Sequence, residues 1–64
     1  MNGVVVAFDA AAGLGTIAAD DGEHYPFHCV EISDGTRTIE VGVWVEFTTL
    51  AKLGRYEASA IAPT

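Results

Sequence analysis

The sequence predicts an all-β domain, a five-stranded antiparallel β-barrel, and three observations carry the prediction. Five runs rich in β-branched and aromatic residues alternate with turn signals. No run of helical period reaches useful length. Sixty-four residues leave room for one compact core, so the chain reads as a single domain over residues 1–64. A domain of this size buries only about 60% of the surface of its unfolded form. A cavity that encloses a drug-sized ligand would consume much of that core, so binding is expected at the surface.

The first strand is Gly3 to Phe8, β-branched and aromatic. Ala10-Ala11-Ala12 has helix propensity, but three residues between Asp9 and Gly13 cannot nucleate a helix. Leu14 to Ala19 forms the second strand, entered through Gly13-Leu14-Gly15. Asp20-Asp21-Gly22 is a hairpin turn, with residues that tolerate positive φ. His24 to Val30 is the third strand, despite Pro26, which cannot donate a ladder hydrogen bond. Pro26 therefore predicts either a later strand start or a local bulge. Ser33-Asp34-Gly35 opens a longer connection that ends at Val41-Gly42. Val43 to Leu50 has the strongest β propensity, with Val43, Val45 and Phe47 alternating against Trp44, Glu46 and Thr48. A loop at Leu53-Gly54 leads into Tyr56 to Ile61, and Pro63 is read as a stop.

Charge bears on partners. Nine acidic residues face three basic ones, a formal net charge of −6. No Lys or Arg precedes Arg37, and the others are Lys52 and Arg55. Phosphate backbones are bound through Lys and Arg with release of counterions, so this is a poor electrostatic footprint for nucleic acid. Acidity also keeps a hydrophobic small protein soluble, and both readings stand. A single cysteine, Cys29, forms no internal disulfide, which together with the absence of a signal-like N-terminus points to a reducing, cytoplasmic setting. No apolar segment approaches the roughly 20 residues of a membrane span, and no membrane partner is expected.

Few residues suggest bond-making chemistry. His24 and His28 lie about 13 Å apart along an extended strand, and Cys29 faces the opposite side from His28. Zinc needs three or four convergent ligands, so no metal site is expected, and no Cys–His nucleophile pair. Gly13-Leu14-Gly15 lacks the following helix of a phosphate loop, and close packing is the better account of its glycines. Asp20, Asp21 and Glu23 fall on an exposed turn, where acid–base work finds no cleft. The domain is expected to be a binding protein without cofactors, and not an enzyme.

The order of residues resembles the bacterial cold-shock protein family over nearly the whole chain. Gly3-Val4-Val5-Val6-Ala7-Phe8-Asp9 sits where the family has Gly-Lys-Val-Lys-Trp-Phe-Asn. Ala12-Gly13-Leu14-Gly15-Thr16-Ile17 sits on the family's first RNA-binding motif, Lys-Gly-Phe-Gly-Phe-Ile, and Tyr25-Pro26-Phe27-His28-Cys29 on the second, Val-Phe-Val-His-Phe. Gly35-Thr36-Arg37-Thr38-Ile39 and Gly42-Val43-Trp44-Val45-Glu46-Phe47 keep the spacing of Gly-Phe-Lys-Thr-Leu and Gly-x-x-Val-x-Phe. The resemblance implies an OB-type Greek-key barrel that binds single-stranded RNA and DNA by stacking bases on aromatic rings ringed by lysines.

This chain departs from the pattern on one face. The tryptophan slot holds Ala7, the two phenylalanines of the first motif are Leu14 and Thr16, and those of the second are Pro26 and Cys29. The loop phenylalanine is Thr36, and lysine slots hold Val4, Val6 and Ala12. Phe8 and His28 keep rings at stacking slots, and Arg37 keeps a cation. Strand alternation points Leu14, Thr16, Pro26 and His28 outward and Ile17, Tyr25 and Phe27 inward, so the scaffold is kept while the contact face is replaced. Base–aromatic stacking is worth roughly 1–3 kcal/mol per base, so losing four or five platforms removes on the order of 5 kcal/mol of binding.

Two readings follow. In the first, the chain has a regulatory role and binds single-stranded RNA or DNA weakly through Phe8, Leu14, Thr16, His28, Arg37 and Lys52. In the second, the same scaffold serves a protein partner or forms a homodimer through Trp44, Pro26 and Leu14. Val43 and Leu53 would then extend the Trp44 patch, since a large rigid aromatic suits an interface.

Overall fold

A computed structural model describes residues 1–64. Five strands form one antiparallel sheet: β1 (Asn2–Asp9), β2 (Leu14–Ala19), β3 (His24–His28), β4 (Trp44–Lys52) and β5 (Arg55–Pro63), in the order β3-β2-β1-β4-β5. A meander of three strands, with a fourth returning over a long connection to lie beside the first, is the Greek-key order. The expected number of strands is present, each within two residues of its expected limits. The ladder does not close into a barrel. No ladder joins β3 to β5, and the seam between them is crossed beyond the end of β3. There Ile32 bridges Ile61, the Ser33 N–H donates to the Ile61 carbonyl at 2.8 Å, and the Ser59 hydroxyl donates to Glu31 Oε1 at 2.7 Å.

Pro26 shows one reason for the open seam. β3 is neither delayed nor bulged: it runs through Pro26, which pairs with Thr16. The Ala19 N–H donates to the Glu23 carbonyl, and counting in twos from that bond makes Thr16–Pro26 a non-hydrogen-bonded pair. The proline nitrogen then faces away from β2, where a ladder to β5 would need a donor, so proline is tolerated and the edge stays open. The expected strand to Val30 stops at His28 and gives way to a 3-10 turn over Cys29–Glu31.

The core takes side chains from every strand. Val5, Ile17, Phe27, Val45, Phe47, Ala58 and Ile61 are buried together with Ile32. Two bulges break strict alternation. One, between Val5 and Ala7, lets Val5 and Phe8 both turn toward the core side of β1. The other pairs Thr48 with Ser59 and Glu46 with Ala62, which buries Ala58 and Ile61 three positions apart. Its extra residue, Ala60, sits at φ 52, the left-handed conformation that a bulge demands.

The turns use their polar residues as caps. Asp21 accepts the Glu23 N–H and the Tyr25 hydroxyl, each at 2.8 Å. Of the turn residues expected at positive φ, only Gly22 adopts it. The Glu23 amide and then the Tyr25 hydroxyl hold the Asp21 carboxyl below the usual aspartate range, and the same bond raises the Tyr25 phenol. Asp34 is lowered by the Thr36 amide and hydroxyl, and Glu31 chiefly by the Ser59 hydroxyl. Carboxyls depressed on folding stabilise the fold above their ordinary pKa and lose that contribution as pH falls through the folded value. The raised phenol acts oppositely: its contribution is present below its ordinary pKa and is lost as pH rises through the folded value. The melting temperature should therefore be level from about pH 5 to 9 and fall by a few degrees on either side. Melts followed by circular dichroism across that range check this, and Asp21→Asn should flatten part of both limbs.

Candidate functional site

A groove of about 450 Å³ is lined by residues of β1, β2 and β3 and the start of β5. Phe8, Phe27 and Gly15 lie toward its floor, with Ala7, Thr16 and Pro26 beside them. Leu14 and three charged residues, Asp9, Arg55 and Glu57, complete the lining. The floor depends on a glycine. A Cβ on Gly15 would fall 2.6 Å from Phe27 Cε1 and 2.9 Å from the Ala7 carbonyl oxygen, so the Phe27 ring lies directly over the Gly15 backbone. Phe8 then stacks on Phe27, with centroids 6.1 Å apart and planes within 9°.

Gly13 answers to a different constraint. Its φ is 69°, a Cβ there would meet Cys29 Sγ at 2.8 Å, and its carbonyl accepts the Cys29 N–H at 2.8 Å. Close packing thus explains both glycines of Gly13-Leu14-Gly15. Asp9 Oδ1 accepts the N–H groups of Ala11 and Ala12 at 3.0 and 3.3 Å, tying one groove carboxylate to the β1–β2 turn.

The structure brings together Phe8, Leu14, Thr16 and Pro26. Leu14 is paired with His28 and Thr16 with Pro26, and all four of these side chains are on the outward face as alternation predicts. Phe8 is corrected in part. The bulge turns it toward the core side, its ring lies nearly parallel to that of Phe27, and the side chain is half-buried rather than a free platform. His28 has a local duty: its Nδ1 accepts the Val30 N–H at 3.3 Å and caps the 3-10 turn, which puts the proton of the neutral ring on Nε2. Thr36, in the slot of the loop phenylalanine, is tied to Asp34 by its N–H at 3.0 Å and its hydroxyl at 2.8 Å.

The cations differ most from expectation. Arg37 stands in the loop between β3 and β4, at φ 60, and does not line the groove. Lys52 does not line it either, and pairs with Glu57 at 3.7 Å. The guanidinium at the groove is that of Arg55, held by Glu57 at 3.0 Å. Sequence spacing had no means of finding Arg55 and Glu57 here, because β5 reaches the site by packing across the seam rather than by pairing with β2 or β3.

Trp44 is exposed, as a partner interface requires, but it pairs with Val4 near the start of β1 while Leu14 pairs with Asp9 at the end of that strand. The two are roughly 16 Å apart along β1 and do not share a patch with Pro26. Leu53 lies in the turn after nine-residue β4, which begins at Trp44, and Val43 is half-buried against the core. The expected extension of the Trp44 patch is therefore not formed.

The sequence model of a family described as 'Cold-shock' DNA-binding domain matches residues 1–64, from the first strand through the last. No curated protein matches the chain.

Proposed function

The chain belongs to the cold-shock DNA-binding domain family, and on that premise we propose that it is a regulatory binding protein that engages single-stranded RNA or DNA weakly, through the groove over Gly15 and Phe27. The lining of that groove carries the reading. One half-buried ring, Phe8, and one paired cation, Arg55, stand with two carboxylates, Asp9 and Glu57. Stacking and phosphate neutralisation are the two large terms in single-strand binding, and both are reduced here. Leu14, Thr16 and Pro26 offer shape and apolar contact in place of aromatic rings. We assign no catalysis to the domain, since the groove's polar groups are engaged in a turn and an ion-pair cluster. Free Cys29 suits the cytoplasmic setting proposed with this role.

The protein-partner and homodimer reading has less behind it, because Trp44, Pro26 and Leu14 do not form one surface. Two measurements test the choice. Anisotropy of a labelled pyrimidine-rich strand should give micromolar or weaker affinity at physiological salt, and sub-micromolar binding would overturn the weak-binding reading. At low salt, amide shifts on titration should centre on Ala7, Phe8, Leu14 and Thr16. Shifts centred on Trp44 and Val4 instead, or none at all, would count against the groove.

A further inference from the structure

We infer that Glu57 is a built-in mask, a carboxylate that withholds Lys52 and Arg55 from phosphate and so sets how strongly this groove engages a single strand. The inference rests on the nucleic-acid reading above and deepens it. The β4–β5 ladder sets Lys52 directly opposite Arg55, and Leu50 opposite Glu57. Positions two apart share a strand face, so Lys52, Arg55 and Glu57 form one outward cluster. Like charges directly opposite each other repel, and Glu57 answers both. Its Oε2 takes Arg55 Nη2 at 3.0 Å and its Oε1 takes Lys52 Nζ at 3.7 Å.

Burial gives the cluster its order. The Glu57 side chain is 17% exposed, against 45% for Lys52 and 68% for Arg55, so the carboxylate sits inside and the cations lie over it. Two of the chain's three cations are engaged this way. At the groove itself Glu57 cancels Arg55, and Asp9 leaves the lining net negative, while Lys52 stands outside the lining on the other carboxylate oxygen of Glu57. Exposed ion pairs are weak as bonds, and both cations can still move. What Glu57 changes is the field: any phosphate drawn to Lys52 or Arg55 also approaches a fixed negative charge.

Glu57→Gln keeps size and hydrogen bonding and removes the charge. Binding of a short labelled oligothymidylate at about 50 mM salt should strengthen about tenfold, and the slope of log K against log salt should steepen by roughly 1.4, the value for two more phosphate contacts on a single strand. The double variant Lys52→Gln/Arg55→Gln should lower affinity more in the Glu57→Gln background, where the freed cations reach phosphate, than in the wild type, and should remove the steeper salt slope there. That non-additivity is the signature of a mask. An unchanged affinity and slope in Glu57→Gln would overturn it. So would an equal loss from the double variant in both backgrounds, and Glu57→Ala gives the same comparison if Glu57→Gln fails to fold. If the wild type shows groove shifts but Glu57→Gln binds no better, only the mask is wrong. If neither protein binds at low salt, the nucleic-acid reading falls and the mask with it.

Discussion

Phe27→Ala is expected to lower the stability of the domain by about 3–5 kcal/mol. Phe27 is 1% exposed, and it packs over Gly15 while its ring carries Phe8. Truncating a buried phenylalanine to alanine costs about 3–5 kcal/mol, the lost transfer energy plus the cavity left behind. A domain of 64 residues has roughly 3–10 kcal/mol in total, at the usual stability per residue. The substitution therefore removes a third or more of the stability, and in the lower part of that range all of it. Collapse into the cavity is hindered, because the ring's neighbours are a glycine backbone and a second ring stacked on it. Urea titration of the wild type and of Phe27→Ala, followed by circular dichroism, checks this. A midpoint shift worth less than about 1 kcal/mol would show that the core is looser than its packing implies. Phe27→Leu should fall between the two, since it leaves a smaller void.

The second large effect is a gain. Leu14→Phe combined with Thr16→Phe should raise affinity for a pyrimidine-rich single strand by on the order of 100-fold. Each new ring offers a base a stacking platform worth roughly 1–3 kcal/mol, and the two sum to less than full additivity. The sites accept the rings: Leu14 is 53% exposed, Thr16 is half-buried at the groove, and neither belongs to the core. Thr16 also faces Pro26 across a non-hydrogen-bonded pair, where side chains lie closest, so a ring there can rest on the proline. Anisotropy with a labelled strand measures the gain. The fluorescence of Trp44 should stay nearly constant through the titration, because that side chain pairs with Val4 away from the groove. A gain below about threefold would mean that the groove is not where bases stack in this chain, and that the replaced aromatics do not account for weak binding.

Much of this architecture was legible locally. Turn residues bound each strand, so Asp20-Asp21-Gly22 and Leu53-Gly54 mark their hairpins without help from the rest of the chain. Alternation set the inward Ile17 and Phe27 and the outward Leu14, Thr16 and His28, because β2 and β3 pair without a bulge and their period of two runs unbroken. The loss of stacking rings and lysines is likewise a matter of which residue stands in each slot. Phe8 lies beyond the reach of that logic. Its facing is decided by an extra residue in β1 measured against β2, and a bulge is a property of two strands in register.

Residue order alone reads as a five-stranded barrel with a weakened nucleic-acid face, and tertiary structure alters both parts. By itself the sequence determined the five strands, their turns, the core they share and a contact face stripped of aromatic rings, since each follows from side chains and their near neighbours along the chain. Only the tertiary structure decided that the sheet stays open between β3 and β5, that Phe8 leans on Phe27, and that Arg55 and Glu57 rather than Arg37 stand at the groove. The physical reason is shared. Each depends on how separate strands meet, in register or across a seam, and such meetings leave no periodic trace in either segment.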